Sequence, residues 1–485
     1  MNHHNVTVVS DIEPKEQELP FFKPAEAWGL ILLFCVITAI LLLIGGAGSR
    51  VLNVSFPLGA FLIGWRLYFR YPILYTGFVW WLFFLTPLVR RIADWKAGSL
   101  IDPSPILLTP YLPTIISAHT LYFNISKTRE QGSAPFILAI AGVMYGFLIG
   151  LINNSDRIPS VTVAFLEWMS PIIFAYHIYV NWKRYPEYAR NIQRVFLWGV
   201  IVMGVYGIFQ FLTAPEWDRF WLINSPIKSS AGQPVPLGIR VWSTMNAPGP
   251  FAYYMAAGLT ILLNTKNALV VPAAGSGALA FLLSIVRTSW IGWFLGIMTM
   301  IGSIKPKQRK KLFLSLICLL ILIIPLATIE PFSNTITARM STLSNINEDG
   351  SFQARQYLYN ALIDEAIVSF VGSGIGTAEG YDSAVLAMLF NLGWIGCIPY
   401  IGSLILLTIA LFNSPSNSKE MFPSIVKAIV FQSIFYLFAG ASMKAATGML
   451  LWSFLSFGFA QSKYQYYDLQ LKAMSAIAKK TANTI

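Results

Sequence analysis

Apolar runs of roughly 17 to 25 residues recur along almost the whole chain, each long enough as a helix to cross the ~30 Å hydrocarbon core of a bilayer. In lipid a backbone must satisfy its own hydrogen bonds, and runs of this length are helical rather than extended. Candidate spans lie near 28–47, 52–66, 71–88, 104–120, 134–152, 161–181, 195–213, 249–264, 268–286, 288–304, 312–329, 386–412, 423–440 and 445–461, the second of them short. The expected fold is all-α, a polytopic integral membrane helical bundle of about 12–14 transmembrane helices. With 55% hydrophobic and 12% charged residues over 485 positions, a string of soluble domains is excluded.

Orientation follows from the lysine and arginine content of short loops. With the N-terminus inside, 22 of the 34 basic residues fall on the cytoplasmic face, including "NWKRYPEYARNIQR" and "KPKQRKK". The loops at 182–194 and 305–311 both demand the cytoplasm. One stretch objects: "VRRIADWKAG" at 89–98 carries three basic residues and lands outside. The net charge of +12 is then mostly a topology signal with some attraction to anionic lipid headgroups. No basic stripe interleaved with exposed aromatics points to nucleic acid. The three cysteines sit in apolar runs without metal or redox spacing and are expected to pack. Residues 1–27 read as a cytoplasmic tail, 28–461 as a single transmembrane domain, and 462–485 as a basic cytoplasmic tail resting on the inner leaflet.

Two long polar loops then fall on the outer face, 214–248 and 330–385. Within the second, "FQARQYLYNALIDEAIVSF" places Tyr357, Leu358, Ala361, Leu362, Ile367 and Phe370 at helical spacing, so the loop is expected to be partly helical and amphipathic. The outer face also collects Arg240, Arg287, Arg339 and Arg355. A lone arginine at a span end commonly snorkels to the headgroups. Arg287, in "LLSIVRTSWIGW", is less easily dismissed, because its surroundings are apolar and hold no acid. Guanidinium groups stay protonated and grip phosphate oxygens in a bidentate fork, so several converging would suit a pyrophosphate.

Of the 22 acids only Glu167 falls in an expected span, which argues against an ion-coupled carrier. His119 and His177 are isolated on apolar stretches and read as helix-packing residues. No metal-ligand spacing occurs, and no metal or cofactor is expected. In "VGSGIGTAEGYDSAVLAMLFNLGWIG", Gly372, Gly374, Gly376 and Gly380 are too dense for a helix and predict a tight turn. Asp382 follows, as a helix cap, as a carboxylate able to accept a proton from an attacking hydroxyl, or as both.

The succession of "GIRVWSTMNAPGPFAYYMAAGLTILL", "LLSIVRTSWIGW", a basic cytoplasmic loop, a span and a long outer loop with "ARQYLYNALIDEAIVSFVGSGIGTAEGYDSAVLAMLFNLGWIG" resembles the O-antigen ligase and Wzy-type polysaccharide polymerase superfamily of bacterial inner-membrane proteins. The likeness covers residues 195–412. It implies that Arg240, Arg287 and Arg355 engage the pyrophosphate of an undecaprenyl-linked oligosaccharide, with Arg339 a further candidate through its spacing to Gly350. It also implies inverting, metal-independent glycosyl transfer with Asp382 or Glu379 as base. Ligases of the group often carry a histidine where this chain has Asp382, which favours a polymerase of exopolysaccharide or O-antigen. The ligase, and a flippase that forms no bond, are the alternatives. The implied partners are the polyprenyl-pyrophosphate glycan, membrane lipids and other polysaccharide-assembly proteins.

Overall fold

The computed structural model describes residues 24–482 except 129–131, 226–230, 335, 337–349, 378–382, 414–420, 439 and 441. Nearly all of the polar N-terminal tail lies outside the described residues. The rest is helical, with one isolated antiparallel bridge between Gly232 and Ile239. In chain order the α-helices are α1 (Ala25–Ile44), α2 (Gly46–Arg70), α3 (Pro72–Ala97), α4 (Tyr111–Ile115), α5 (Ala118–Thr128), α6 (Ala134–Asn153), α7 (Ile158–Val180), α8 (Tyr185–Thr213) and α9 (Glu216–Asn224). Then follow α10 (Pro248–Leu262), α11 (Val270–Leu283), α12 (Arg287–Ser303), α13 (Pro306–Thr328), α14 (Gly350–Val368), α15 (Ala384–Asn413), α16 (Phe422–Leu437) and α17 (Ala445–Ala482).

Among the described residues, seven helical stretches are long and apolar enough to cross a membrane: α1, α2, α3, α6, α7, Trp182–Thr213 and α15. The protein is therefore a polytopic helical membrane bundle. Exposed apolar side chains ring its outside, for example Leu43, Leu62, Leu148, Ile321 and Ile398, as lipid-facing surfaces require. Inside, aromatic rings interlock: Trp80 meets Phe84, Phe196, Tyr254 and Phe454 with centroids 5.2 to 6.4 Å apart.

Contacts between distant segments define two ends. At one, Glu26 pairs with Arg66 at 2.7 Å, Asn191 donates to the carbonyl of Ile73, Tyr185 meets Phe422 and Tyr464, and Ser424 donates to the carbonyl of Ser303. The two basic segments at 182–194 and 305–311 thus share one end. At the other end, Gly46 approaches the carbonyl of Lys96, and Arg91 reaches Asp218, Ser243 and Met245.

Several elements differ from expectation. The short span at 52–66 is a full helix of 25 residues, because its polar Asn53, Ser55 and internal Pro57 lower hydropathy without breaking the helix. The span at 104–120 is instead a 3-10 turn at Pro105–Leu108 followed by α4 and α5, interrupted where Pro105, Pro110 and Pro113 cannot donate backbone hydrogen bonds. The C-terminal tail is not a separate surface helix. It continues the last span as one 38-residue helix, about 57 Å long at ~1.5 Å per residue, so its end projects well beyond a bilayer. Of the cysteines only Cys397 packs inside; Cys35 and Cys318 are exposed.

The expected helix in the second long loop is present as α14, but its apolar residues are not sorted to one face. Ala366 is buried and Leu362 and Ile363 touch the core, while Tyr357 and Val368 are largely exposed. The glycine turn that follows is also present. Gly372, Gly374 and Gly376 have φ of 77°, 90° and 91°, values that favour glycine. This segment threads between helices: the N–H of Ile375 donates to Gly146 and that of Ser373 to Phe390. A Cβ on Gly374 would overlap the backbone nitrogen and Cα of Gly150. Gly380 lies outside the described residues.

Candidate functional site

Arg240 sits in a non-helical stretch between the Gly232–Ile239 bridge and α10. Its backbone N–H donates to Ala231, and the next residue, Val241, donates to the carbonyl of Leu283 at the end of α11. The side chain follows the same direction. Nε donates to the carbonyl of Ser284 at 3.4 Å and one terminal nitrogen to that of Ile285 at 3.1 Å. Arg287 is two residues further on and opens α12. Two arginines 47 positions apart in sequence (287 − 240) are thereby fixed to one tight turn, at the end of the bundle opposite the basic segments.

That turn is costly to form. Ile285 has φ 57°, a left-handed conformation in which a β-branched side chain crowds its own backbone. Arg287 opens its helix and so carries its positive charge at the positive end of the helix dipole. Strained backbone of this kind is a feature that ligand sites tolerate.

The stretch from Trp242 to Met245 is clamped from two sides. Arg91, fully buried on α3, donates to the carbonyls of Ser243 and Met245 and pairs with the equally buried Asp218 of α9 at 2.7 Å. The second carboxylate oxygen of Asp218 accepts from Tyr206 and Gln210, each at 2.8 Å. Gln210 in turn accepts the backbone N–H groups of Trp242 and Ser243 at 3.1 and 2.8 Å. Ser243 holds φ 52° inside this clamp. The network also explains the objecting stretch at 89–98. Arg91 is neutralised by Asp218, and Arg90 bonds Asp94 at 3.2 Å and the carbonyl of Ile101 at 2.9 Å. These charges are interior partners, not retention signals. Since α3 runs past residue 88 to Ala97, Asp94 joins Glu167 as an acid on a membrane helix.

Glu167 pairs with Lys444 at 2.8 Å. His177 packs inside the bundle, bonded to Thr120 at 2.7 Å, whereas His119 is exposed and meets Tyr68 at 3.2 Å. Four aromatics beside the arginines, Trp242, Tyr253, Tyr254 and Trp290, are held by contacts within the bundle. Trp242 and Tyr254 are fully buried, Tyr253 stacks on Tyr436 with centroids 3.9 Å apart, and Trp290 donates to the carbonyl of Phe281. In the stretch that follows Arg240, Trp242 Nε1, Thr244 Oγ1 and Asn246 Oδ1 are buried without a hydrogen-bond partner among the described residues.

Of the other candidate residues, Arg355 lies on α14. Arg339, Glu379 and Asp382 lie outside the described residues. What the sequence did not reveal is the role of Arg91, Asp218 and Gln210. Arg91 and Asp218 are 127 positions apart, and only the odd basicity of 89–98 hinted that those charges had internal partners. No protein-family model matches the chain, and no curated protein matches it either.

Proposed function

We propose that this protein transfers glycan from a polyprenyl-pyrophosphate carrier on the outer face of the bacterial cytoplasmic membrane, as a polysaccharide polymerase. The observation that carries the reading is the attachment of Arg240 to the Ser284–Ile285 turn that leads into Arg287. Two permanent cations on one strained turn, beside unpartnered polar atoms at Trp242, Thr244 and Asn246, suit a diphosphate held at the membrane surface. Neutralising the diphosphate improves it as a leaving group and stabilises the charge that develops as the anomeric bond breaks. The acceptor hydroxyl attacks the anomeric carbon from the opposite side and loses its proton to Asp382 or Glu379. A new glycosidic bond forms with inverted configuration and polyprenyl pyrophosphate departs. Arg355 and Arg339, on the loop before those acids, are further candidates for the carrier's phosphates. Energy stored in the carrier bond makes a cytosolic nucleotide unnecessary.

The test is reconstitution with a purified undecaprenyl-pyrophosphate oligosaccharide, following glycan length. Longer lipid-linked glycan supports polymerase, and transfer to a different acceptor identifies a ligase. Movement across the bilayer without a new bond identifies a flippase and removes the enzymatic reading.

A further inference from the structure

The ion pair between Glu167 and Lys444 has no place in the site above, and its depth makes it unusual. α7 runs from the arginine end to the basic end, and Glu167 lies nine residues beyond its start at Ile158, about 13 Å along the axis. That is near the middle of a ~30 Å core. Lys444 stands at the same level. It belongs to the connection between α16 and α17, which turns back below the arginine end, soon after Tyr436 has met Ser289 in the first turn of α12. Tyr436 already stacks on Tyr253 inside α10, Met443 accepts from Tyr400 deep in α15, and Ala446 accepts from Tyr254, six residues beyond the start of α10. α7 and α10 therefore rise past this connection toward Arg240 and Arg287.

Despite that depth the pair is not sealed. The side chains of Glu167 and Lys444 retain 26% and 34% exposure. An ionised pair half-open at mid-membrane depth faces water rather than lipid, since acyl chains cannot solvate either charge, and non-helical backbone at this depth requires a polar lining or burial. Ser442, two residues before Lys444, also buries a hydroxyl without a partner among the described residues, as expected beside ordered water.

We propose that a water-filled recess opens at the arginine end, that its floor is the Glu167–Lys444 pair, and that this floor binds the hydroxyl groups of a neutral carbohydrate. The pair has no net charge, so it favours neither anion nor cation. It offers acceptor oxygens and ammonium donors side by side, the complement of vicinal hydroxyls. The identity of the carbohydrate rests on the glycan-transfer reading; the recess does not.

The experiment separates the two. In a Cys35→Ala, Cys318→Ala, Cys397→Ala background, Glu167→Cys and Lys444→Cys are each placed in nanodiscs and their modification by a charged, membrane-impermeant thiol reagent is timed. Two variants guard against one failing to fold. Labelling is expected within minutes, slowed at least fivefold by undecaprenyl-pyrophosphate oligosaccharide and unchanged by undecaprenyl pyrophosphate without sugar. That result supports the site even if no transfer occurs, in which case the transfer reading alone falls. Labelling only by an apolar reagent places the pair against lipid and overturns the proposal. Rapid labelling that the oligosaccharide does not slow overturns the carbohydrate site.

Discussion

Arg91 and Asp218 form an ion pair 2.7 Å long with neither side chain exposed, and the same arginine holds the carbonyls of Ser243 and Met245. A helix of the first part of the chain, the short α9 and the stretch that follows Arg240 are joined at one point. Removing either partner strands a charge in the interior, which costs about 3–5 kcal/mol. Arg91→Ala and Asp218→Ala should each lower the midpoint of thermal unfolding in detergent markedly. Their double variant should lose less than the sum of the two, because the stranded charge disappears. Additive losses would mean that the pair is not coupled.

The glycine turn after α14 supports a paired comparison. Gly374 combines φ 90° with so close an approach to α6 that an added methyl carbon would overlap the backbone nitrogen of Gly150. Gly374→Ala should therefore cost more than the roughly 1–3 kcal/mol of backbone strain alone. Gly302, inside α12, has nothing within 4 Å of the same position, and Gly302→Ala should stabilise by about 0.5–1 kcal/mol. Unfolding midpoints of the two variants should shift in opposite directions.

Much of this architecture was legible in the apolar runs, because lipid exposure enforces length and hydrophobicity residue by residue. Where the fold surprised, the cause was local polarity or long-range pairing. Asn53, Ser55 and Pro57 disguised a full helix, and three prolines turned an apparent span into broken pieces. The arginines at 240 and 287 were legible as cations in apolar company. Their attachment to one turn was not, since it depends on α11 returning the chain to the level of Val241. Trp242 and Tyr254 look like interfacial aromatics by composition and are interior by packing. The clamp of Arg91, Asp218 and Gln210 left almost no local trace, because each residue is ordinary in its own neighbourhood.

Orientation is open to a direct check. Ser99, in the turn after α3, is exposed at the arginine end, and Lys307 is exposed at the basic end. In a background without the native cysteines, Ser99→Cys should react with an impermeant thiol reagent in intact cells with a permeable outer layer. Lys307→Cys should react only after the membrane is breached. The reverse pattern would put Arg240 and Arg287 in the cytosol and remove the proposed substrate from reach.

The central claim is that Arg240 and Arg287 serve one diphosphate, and equilibrium binding in nanodiscs tests it most directly. Undecaprenyl pyrophosphate should bind tighter than undecaprenyl monophosphate. Arg240→Lys and Arg287→Lys, both well expressed, should each weaken the pyrophosphate complex about tenfold to a hundredfold, since charged hydrogen bonds contribute about 1.5–3 kcal/mol and a lysine cannot form the fork. The double variant should fall short of the product of the two losses, as expected when both groups grip the same ligand. Unchanged affinity in both single variants, or equal binding of the two lipids by the unaltered protein, would contradict the account.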